Sequence, residues 1–134
     1  MKLALIGLGS VGRGVAHVVK NDPRFKIVAA ADSKSGAVNP DGLDIDRLLQ
    51  GKKETGRIGT PDWTAFRIAA EVDYDVLVEV TPTNAETGEP ALSTIKIALS
   101  RGKHVVTSNK GPISLYYREL ESLAEENGVS LRFE

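Results

Sequence analysis

The first fourteen residues limit the possible folds more than any other stretch. Lys2-Leu3-Ala4-Leu5-Ile6 is a short apolar run, Gly7-Leu8-Gly9-Ser10-Val11-Gly12 follows at once, and the pattern then turns helical. Strand, glycine turn and helix in that order suit the pyrophosphate of a dinucleotide. Gly7 permits the tight turn, and Gly9 has no side chain to hold a pyrophosphate away from the backbone. Gly12 lets the helix lie close on the strand, and the free N–H groups of the first helical turn face the phosphate charge. Such a glycine pattern is weak evidence alone, so its context matters. Val11, Val15, Val18 and Val19 fall at i, i+4, i+7 and i+8, which predicts one buried helix face. A second apolar run, Lys26 to Ala31, ends at Asp32, twenty residues beyond Gly12. An acid there reaches ribose hydroxyls.

Composition narrows the function by exclusion. The 134 residues suit one domain with its own core. Seventeen basic and eighteen acidic side chains leave a formal charge of −1 with no basic block, which argues against nucleic-acid or membrane-surface partners. No apolar run reaches transmembrane length, and no leader precedes the first strand. There is no cysteine, and the two histidines stand far apart, so no metal site is expected. The expectation is a cytoplasmic domain.

Along the chain, the first helix should run from Ser10 to about Asn21, stopped by Asp22-Pro23, with His17 solvated off the valine face. Residues 33 to 60 are polar and offer no convincing third strand, although Arg57-Ile58-Gly59-Thr60 could form a brief one. Asp41, Asp44 and Asp46 lack the ligand spacing of a calcium loop, and a capped short helix explains them better. Asp62 or Thr64 should cap the next helix. Asp75 to Val80 reads as a strand covered on both faces. The following helix, with Pro90 in its first turn, should bury Ala91, Leu92, Ile95, Ala98 and Leu99 and stop at Gly102. Lys103 to Thr107 is another strand. The last helix should carry Ile113, Tyr116, Tyr117, Leu120, Leu123 and Ala124 on one face, and Val129 to Glu134 alternates like a strand. Strand and helix alternate throughout, which predicts an α/β fold: a doubly wound parallel sheet of Rossmann type in three layers. Its crevice would be lined by Gly7–Gly12, Asp32–Lys34, Thr81–Asn84 and Ser108–Lys110.

Those loops suggest redox chemistry. Asp32 favours NAD, because a carboxylate accepts the ribose hydroxyls and repels a 2′-phosphate. Ser33-Lys34 follows immediately, and a lysine there would attract the extra phosphate of NADP. Lys52 and Lys53 could fold over the same place, but simple solvation is the expectation for both. Thr81-Pro82 should wrap the nicotinamide side. Ser108-Asn109-Lys110 ends a strand beside the crevice. Lys110, expected to be partly buried there, could sit near nicotinamide and a substrate oxygen. Hydride transfer to a carbonyl creates negative charge on that oxygen and needs such a cation or proton donor. Glu79, inside its strand, reads as a buried, hydrogen-bonded acid rather than a base.

Taken together, Gly7 to Gly12, Val78-Glu79-Val80-Thr81-Pro82-Thr83, Gly102 to Pro112 and Leu131-Arg132-Phe133-Glu134 resemble homoserine dehydrogenase over the whole chain. The most specific part is Thr107-Ser108-Asn109-Lys110-Gly111-Pro112. The broad family related to glucose–fructose oxidoreductase carries Glu-Lys-Pro after this strand, and Asn109-Lys110-Gly111 counts against it. The resemblance implies interconversion of L-homoserine and L-aspartate 4-semialdehyde with NAD or NADP, a step of threonine and methionine synthesis. It implies that Leu8, Ser10 and Val11 hold the pyrophosphate. It further implies that Thr81, Ser108 and Lys110 approach the nicotinamide, and that Lys110 also faces the substrate. Family members continue beyond the residue matching Glu134, itself beside a monovalent-cation site, into a substrate-binding and dimerisation domain. The chain is therefore expected to be the cofactor domain, inactive alone and part of a homo-oligomer at full length. Two alternatives stay open: a related amino-acid dehydrogenase resembling aspartate dehydrogenase, and a non-catalytic NAD(H)-sensing module.

Overall fold

The computed structural model describes residues 1–133. Along the described chain run β1 (Lys2–Ile6), α1 (Ser10–Val19), β2 (Lys26–Ala31), β3 (Gly36–Val38), α2 (Ile45–Thr55) and α3 (Ala65–Glu71). They are followed by β4 (Val76–Glu79), α4 (Ala91–Ser100), β5 (His104–Thr107), α5 (Lys110–Glu126) and β6 (Leu131–Phe133). The strands form one sheet in the order β3-β2-β1-β4-β5-β6, parallel except for the antiparallel β3. β1 thus lies between β2 and β4, so the chain reverses its winding direction beside it. Buried residues of α3, α4 and α5 pack on one face of the sheet, and those of α1 and α2 on the other. This is the doubly wound, three-layer arrangement expected from the alternation of strands and helices. Among the described residues, no helix is long and apolar enough to cross a membrane.

Register makes the site. Ile6 pairs with Ala31 on one side and Glu79 on the other, and Glu79 pairs with Thr107. These residues form a level row at the carboxyl ends of four strands. The segments that follow them, starting at Gly7, Asp32, Val80 and Ser108, therefore leave the sheet side by side.

Four expectations need correction. A third strand exists: β3 pairs antiparallel with β2 through a turn over residues 32–35, closed by Asp32 N–H donating to the Ser35 carbonyl at 2.9 Å. The expected strand around Arg57–Thr60 is only an isolated bridge, with Thr60 and Gly36 exchanging hydrogen bonds at 2.9 Å. On α1 the residues against the sheet are Gly12 and Ala16, flanked by half-buried Val15 and Val19, while Val11 and Val18 are exposed. The smallest residues let the helix approach closest, and the valines stand to the side. On α5, Tyr116 and Tyr117 are exposed, because the backbone at Tyr116 (φ −135°, ψ 26°) leaves helical geometry and breaks the phase. Other readings hold. Asp44 caps α2 by accepting the Arg47 N–H at 3.2 Å, and Thr64 caps α3 by accepting that of Arg67 at 3.1 Å. α4 buries all five residues expected of it. Glu134, read beside a cation site, lies outside the described residues.

Candidate functional site

A crevice of about 880 Å³ runs along the carboxyl ends of the strands. At its centre, β1, α1 and β4 meet with no room for side chains. Gly7 has φ +107°, and a Cβ there would lie 2.9 Å from the Val80 carbonyl carbon and oxygen. A Cβ on Gly12 would lie 1.9 Å from the Gly7 carbonyl oxygen. Gly9, by contrast, faces open space. It is also the N-cap of α1, offers no side-chain cap, and is followed by no acid in the first turn. The first-turn N–H groups, free of any intrahelical acceptor, thus meet the crevice wall formed by Leu8, Gly9, Ser10 and Val11. An anion is the natural complement of such a helix end.

On the β2 side, the turn places Asp32 in the crevice wall. Its Oδ1 accepts the N–H of Lys34 at 2.9 Å and of Ser35 at 2.7 Å, an aspartate turn that shapes the β2–β3 connection. Its Oδ2 accepts from the Lys52 ammonium at 2.5 Å. Burial pushes the Asp32 carboxyl up. The Lys52 ammonium and the Lys34 and Ser35 N–H groups outweigh it and hold the carboxyl below its ordinary value. Ser33 and Lys52 both line the crevice, whereas the Lys34 and Lys53 side chains are exposed outside it. Solvation is therefore the wrong reading of Lys52, which α2 brings back across the sheet edge, and the right one for Lys53.

On the β4–β5 side, Thr81, Pro82, Thr83, Asn84 and Ser108 line the crevice, whereas Asn109 and Lys110, expected there too, are not part of its wall. Glu79 is wholly buried beneath them, as expected, and accepts the N–H of Thr81 at 2.9 Å. Burial raises its carboxyl above the ordinary range despite donors from Thr81, Thr107 and Asn109. Asn109 is also buried; its Oδ1 caps α5 by accepting the Gly111 N–H at 3.1 Å. Lys110 is the first residue of α5, two beyond Ser108. It is exposed rather than partly buried, because a helix start directly after the buried cap turns its side chain to solvent.

A crevice with an uncapped helix start at its centre and a carboxylate at one end has the form of a dinucleotide site. Comparison with known proteins sharpens it. The family model for the homoserine dehydrogenase NAD-binding domain matches residues 7–134. The chain belongs to this family. It is 40% identical to homoserine dehydrogenase of Methanocaldococcus jannaschii, over 100% of this chain and 44% of that protein. It is 39% identical to the NAD(+)-dependent homoserine dehydrogenase of Pseudomonas canavaninivorans, over 99% of this chain and 42% of that protein. A hyperthermophilic archaeal homoserine dehydrogenase solved in complex with NADPH superimposes with a TM-score of 0.85 at 28% identity, over 99% of this chain and 43% of that one. The chain thus spans less than half the length of these relatives.

Within this homoserine dehydrogenase domain, the sequence did not single out Arg13 and left Lys52 to solvent. Arg13 lines the crevice one residue past the glycine motif, and its only signal was that proximity. The Lys52–Asp32 pair joins residues twenty apart through a helix and a hairpin, and no local pattern reports such a contact.

Proposed function

We propose that this chain is the cofactor domain of a homoserine dehydrogenase, which interconverts L-homoserine and L-aspartate 4-semialdehyde using NAD or NADP. The observation that carries the reading is the crevice itself, with a bare α1 start at its centre, Asp32 at one end and the Thr81 and Ser108 loops at the other. The residues present fit a dinucleotide: Gly9 leaves space for a pyrophosphate against the first-turn N–H groups of α1. Gly7, Leu8, Ser10 and Val11 form the rest of that cradle, and Gly12 keeps α1 close enough to serve it.

Asp32 is placed to accept ribose hydroxyls and Ser33 to flank them. Lys52, already on the Asp32 carboxylate, supplies the positive charge that a 2′-phosphate needs, so it takes over the role first given to Lys34. NAD and NADP are then both accommodated, with NAD slightly favoured because the acid remains. The nicotinamide half follows toward the ends of β4 and β5, where Thr81, Pro82 and Ser108 form its surroundings and Asn109, buried behind them, holds the two loops. When bound, the nicotinamide accepts or supplies the hydride. Lys110 takes the proton from the homoserine hydroxyl as the aldehyde forms, and returns it in the reverse direction. The substrate's other contacts lie in the remainder of the full-length protein, which we expect to be a cytoplasmic homo-oligomer.

The test is Lys110→Ala in the full-length protein. Homoserine-dependent reduction of NAD(P) should fall roughly 10²–10⁴-fold, with cofactor affinity retained within about threefold on the scale of one weak contact. A full-length wild type that binds NAD(H) but turns over no homoserine refutes the enzyme reading in favour of a sensing module.

A further inference from the structure

The proposed chemistry leaves the acid beneath the crevice without a task. Glu79 ends a strand whose preceding residues are Val76, Leu77 and Val78, and it is as buried as they are. An apolar side chain would fill that position at no desolvation penalty, whereas an acid there must be justified by what it holds. Both of its oxygens are engaged. Oε1 accepts the Thr81 N–H at 2.9 Å and the Thr81 hydroxyl, and Oε2 accepts the Thr107 hydroxyl at 3.2 Å. The Thr107 oxygen in turn accepts the Asn109 N–H at 3.0 Å. Asn109 Nδ2 then reaches back to the Thr81 hydroxyl at 3.3 Å and the Pro82 carbonyl at 3.4 Å. The circuit Glu79–Thr81–Asn109–Thr107 is closed, with every donor and acceptor direction consistent. It fastens the loop after β4 to the loop after β5, and through the Asn109 cap it fixes the start of α5.

We propose that Glu79 is a positioning residue: its carboxylate clamps these two loops into one unit and so sets the place of Thr81, Ser108 and Lys110 around the nicotinamide. The inference rests on the dinucleotide reading above. It makes a prediction that a purely structural role does not. The clamp lies under one end of the crevice, so its loss must weaken the nicotinamide half of the cofactor's binding and leave the adenosine half alone.

The experiment uses the full-length protein and two ligands, NAD and ADP-ribose, which lacks the nicotinamide. Glu79→Leu keeps the volume and removes the acceptors, leaving three donors unpaired. Affinity for NAD and kcat should each fall tenfold or more, with ADP-ribose affinity within about twofold of wild type. Glu79→Gln, which keeps one acceptor oxygen for Thr81, should recover most of both. An unchanged ratio of NAD to ADP-ribose affinity in Glu79→Leu overturns the proposal, as does an equal loss for both ligands. If Glu79→Leu gives no cooperative melting, Thr107→Val decides by the same readouts, since it opens the circuit and spares the acid. A wild type without homoserine turnover sinks the substrate reading alone, because the affinity ratio still reports the clamp. A wild type that binds neither ligand sinks the dinucleotide reading and this inference together.

Discussion

Two glycines in the same helix should respond to alanine with opposite signs. A Cβ at Gly12 would stand 1.9 Å from the Gly7 carbonyl oxygen and 2.8 Å from its carbon, where ordinary contact begins near 3.4 Å. Both obstacles are backbone, so no rotamer change relieves them, and α1 must move off the turn by about 1.5 Å. Overpacking of this kind costs about 1–3 kcal/mol. The gain in helix propensity from glycine to alanine returns up to about 1 kcal/mol. With the full return the net is a loss of up to about 2 kcal/mol, or a melting temperature lower by up to roughly 8 °C for a chain of this size. Gly14, two residues on, is exposed, and a Cβ there would have nothing within 4 Å. Gly14→Ala therefore collects the propensity gain unopposed and should melt a few degrees higher, by about 2–5 °C.

The same displacement should also appear in binding. A shift of about 1.5 Å takes an N–H···O contact from ~2.9 Å to well outside hydrogen-bonding range. Gly12→Ala should thus lose at least about tenfold in affinity for ADP-ribose, roughly 1.4 kcal/mol, while Gly14→Ala should retain it. Thermal melting and calorimetric titration of the two variants and the wild type make the comparison. If Gly12→Ala melts with the wild type and binds as tightly, or if Gly14→Ala loses as much as Gly12→Ala, the packing argument for the phosphate site is wrong.

Two further outcomes follow from the Asp32 turn. Lys52→Ala should reduce affinity for NADP about tenfold relative to NAD, the scale of one charge-assisted contact, and a ratio equal to wild type in parallel titrations would remove Lys52 from the phosphate subsite. The Asp32 carboxyl is held below its ordinary value, so its stabilising contribution is complete above the unfolded value near ~3.9. That contribution is lost as pH falls through the folded value. Between about pH 5 and pH 2 the wild type should lose more melting temperature than Asp32→Asn, and parallel acid profiles for the two would refute this assignment.

Most of the architecture was legible because its signals are local. The glycine turn, the strand ending at Asp32, the caps at Asp44 and Thr64 and the apolar face of α4 each sit within one or two turns of chain. β3 was not legible. Three residues are too few to show alternation, and the strand is held by the Asp32 turn and by Thr60 rather than by its own composition. The α5 face failed for a related reason, since a break in phase at Tyr116 cannot be read from a pattern that assumes unbroken phase.

The valine stripe of α1 failed for a different reason. Reading it as the buried face assumes that larger apolar residues mark the side turned inward. That holds when a helix rests on its neighbours at ordinary distance. Here the Gly7 carbonyl occupies the space where a Gly12 side chain would be, so α1 lies nearer the sheet than side-chain packing allows. At that distance Gly12 and Ala16 fill the contact, Val15 and Val19 flank it, and Val11 and Val18 are left exposed. This arrangement serves the site, since it leaves Val11 exposed in the crevice wall beside the helix start. The close approach that defeats the amphipathic reading is therefore the same one that brings the first-turn N–H groups to the crevice.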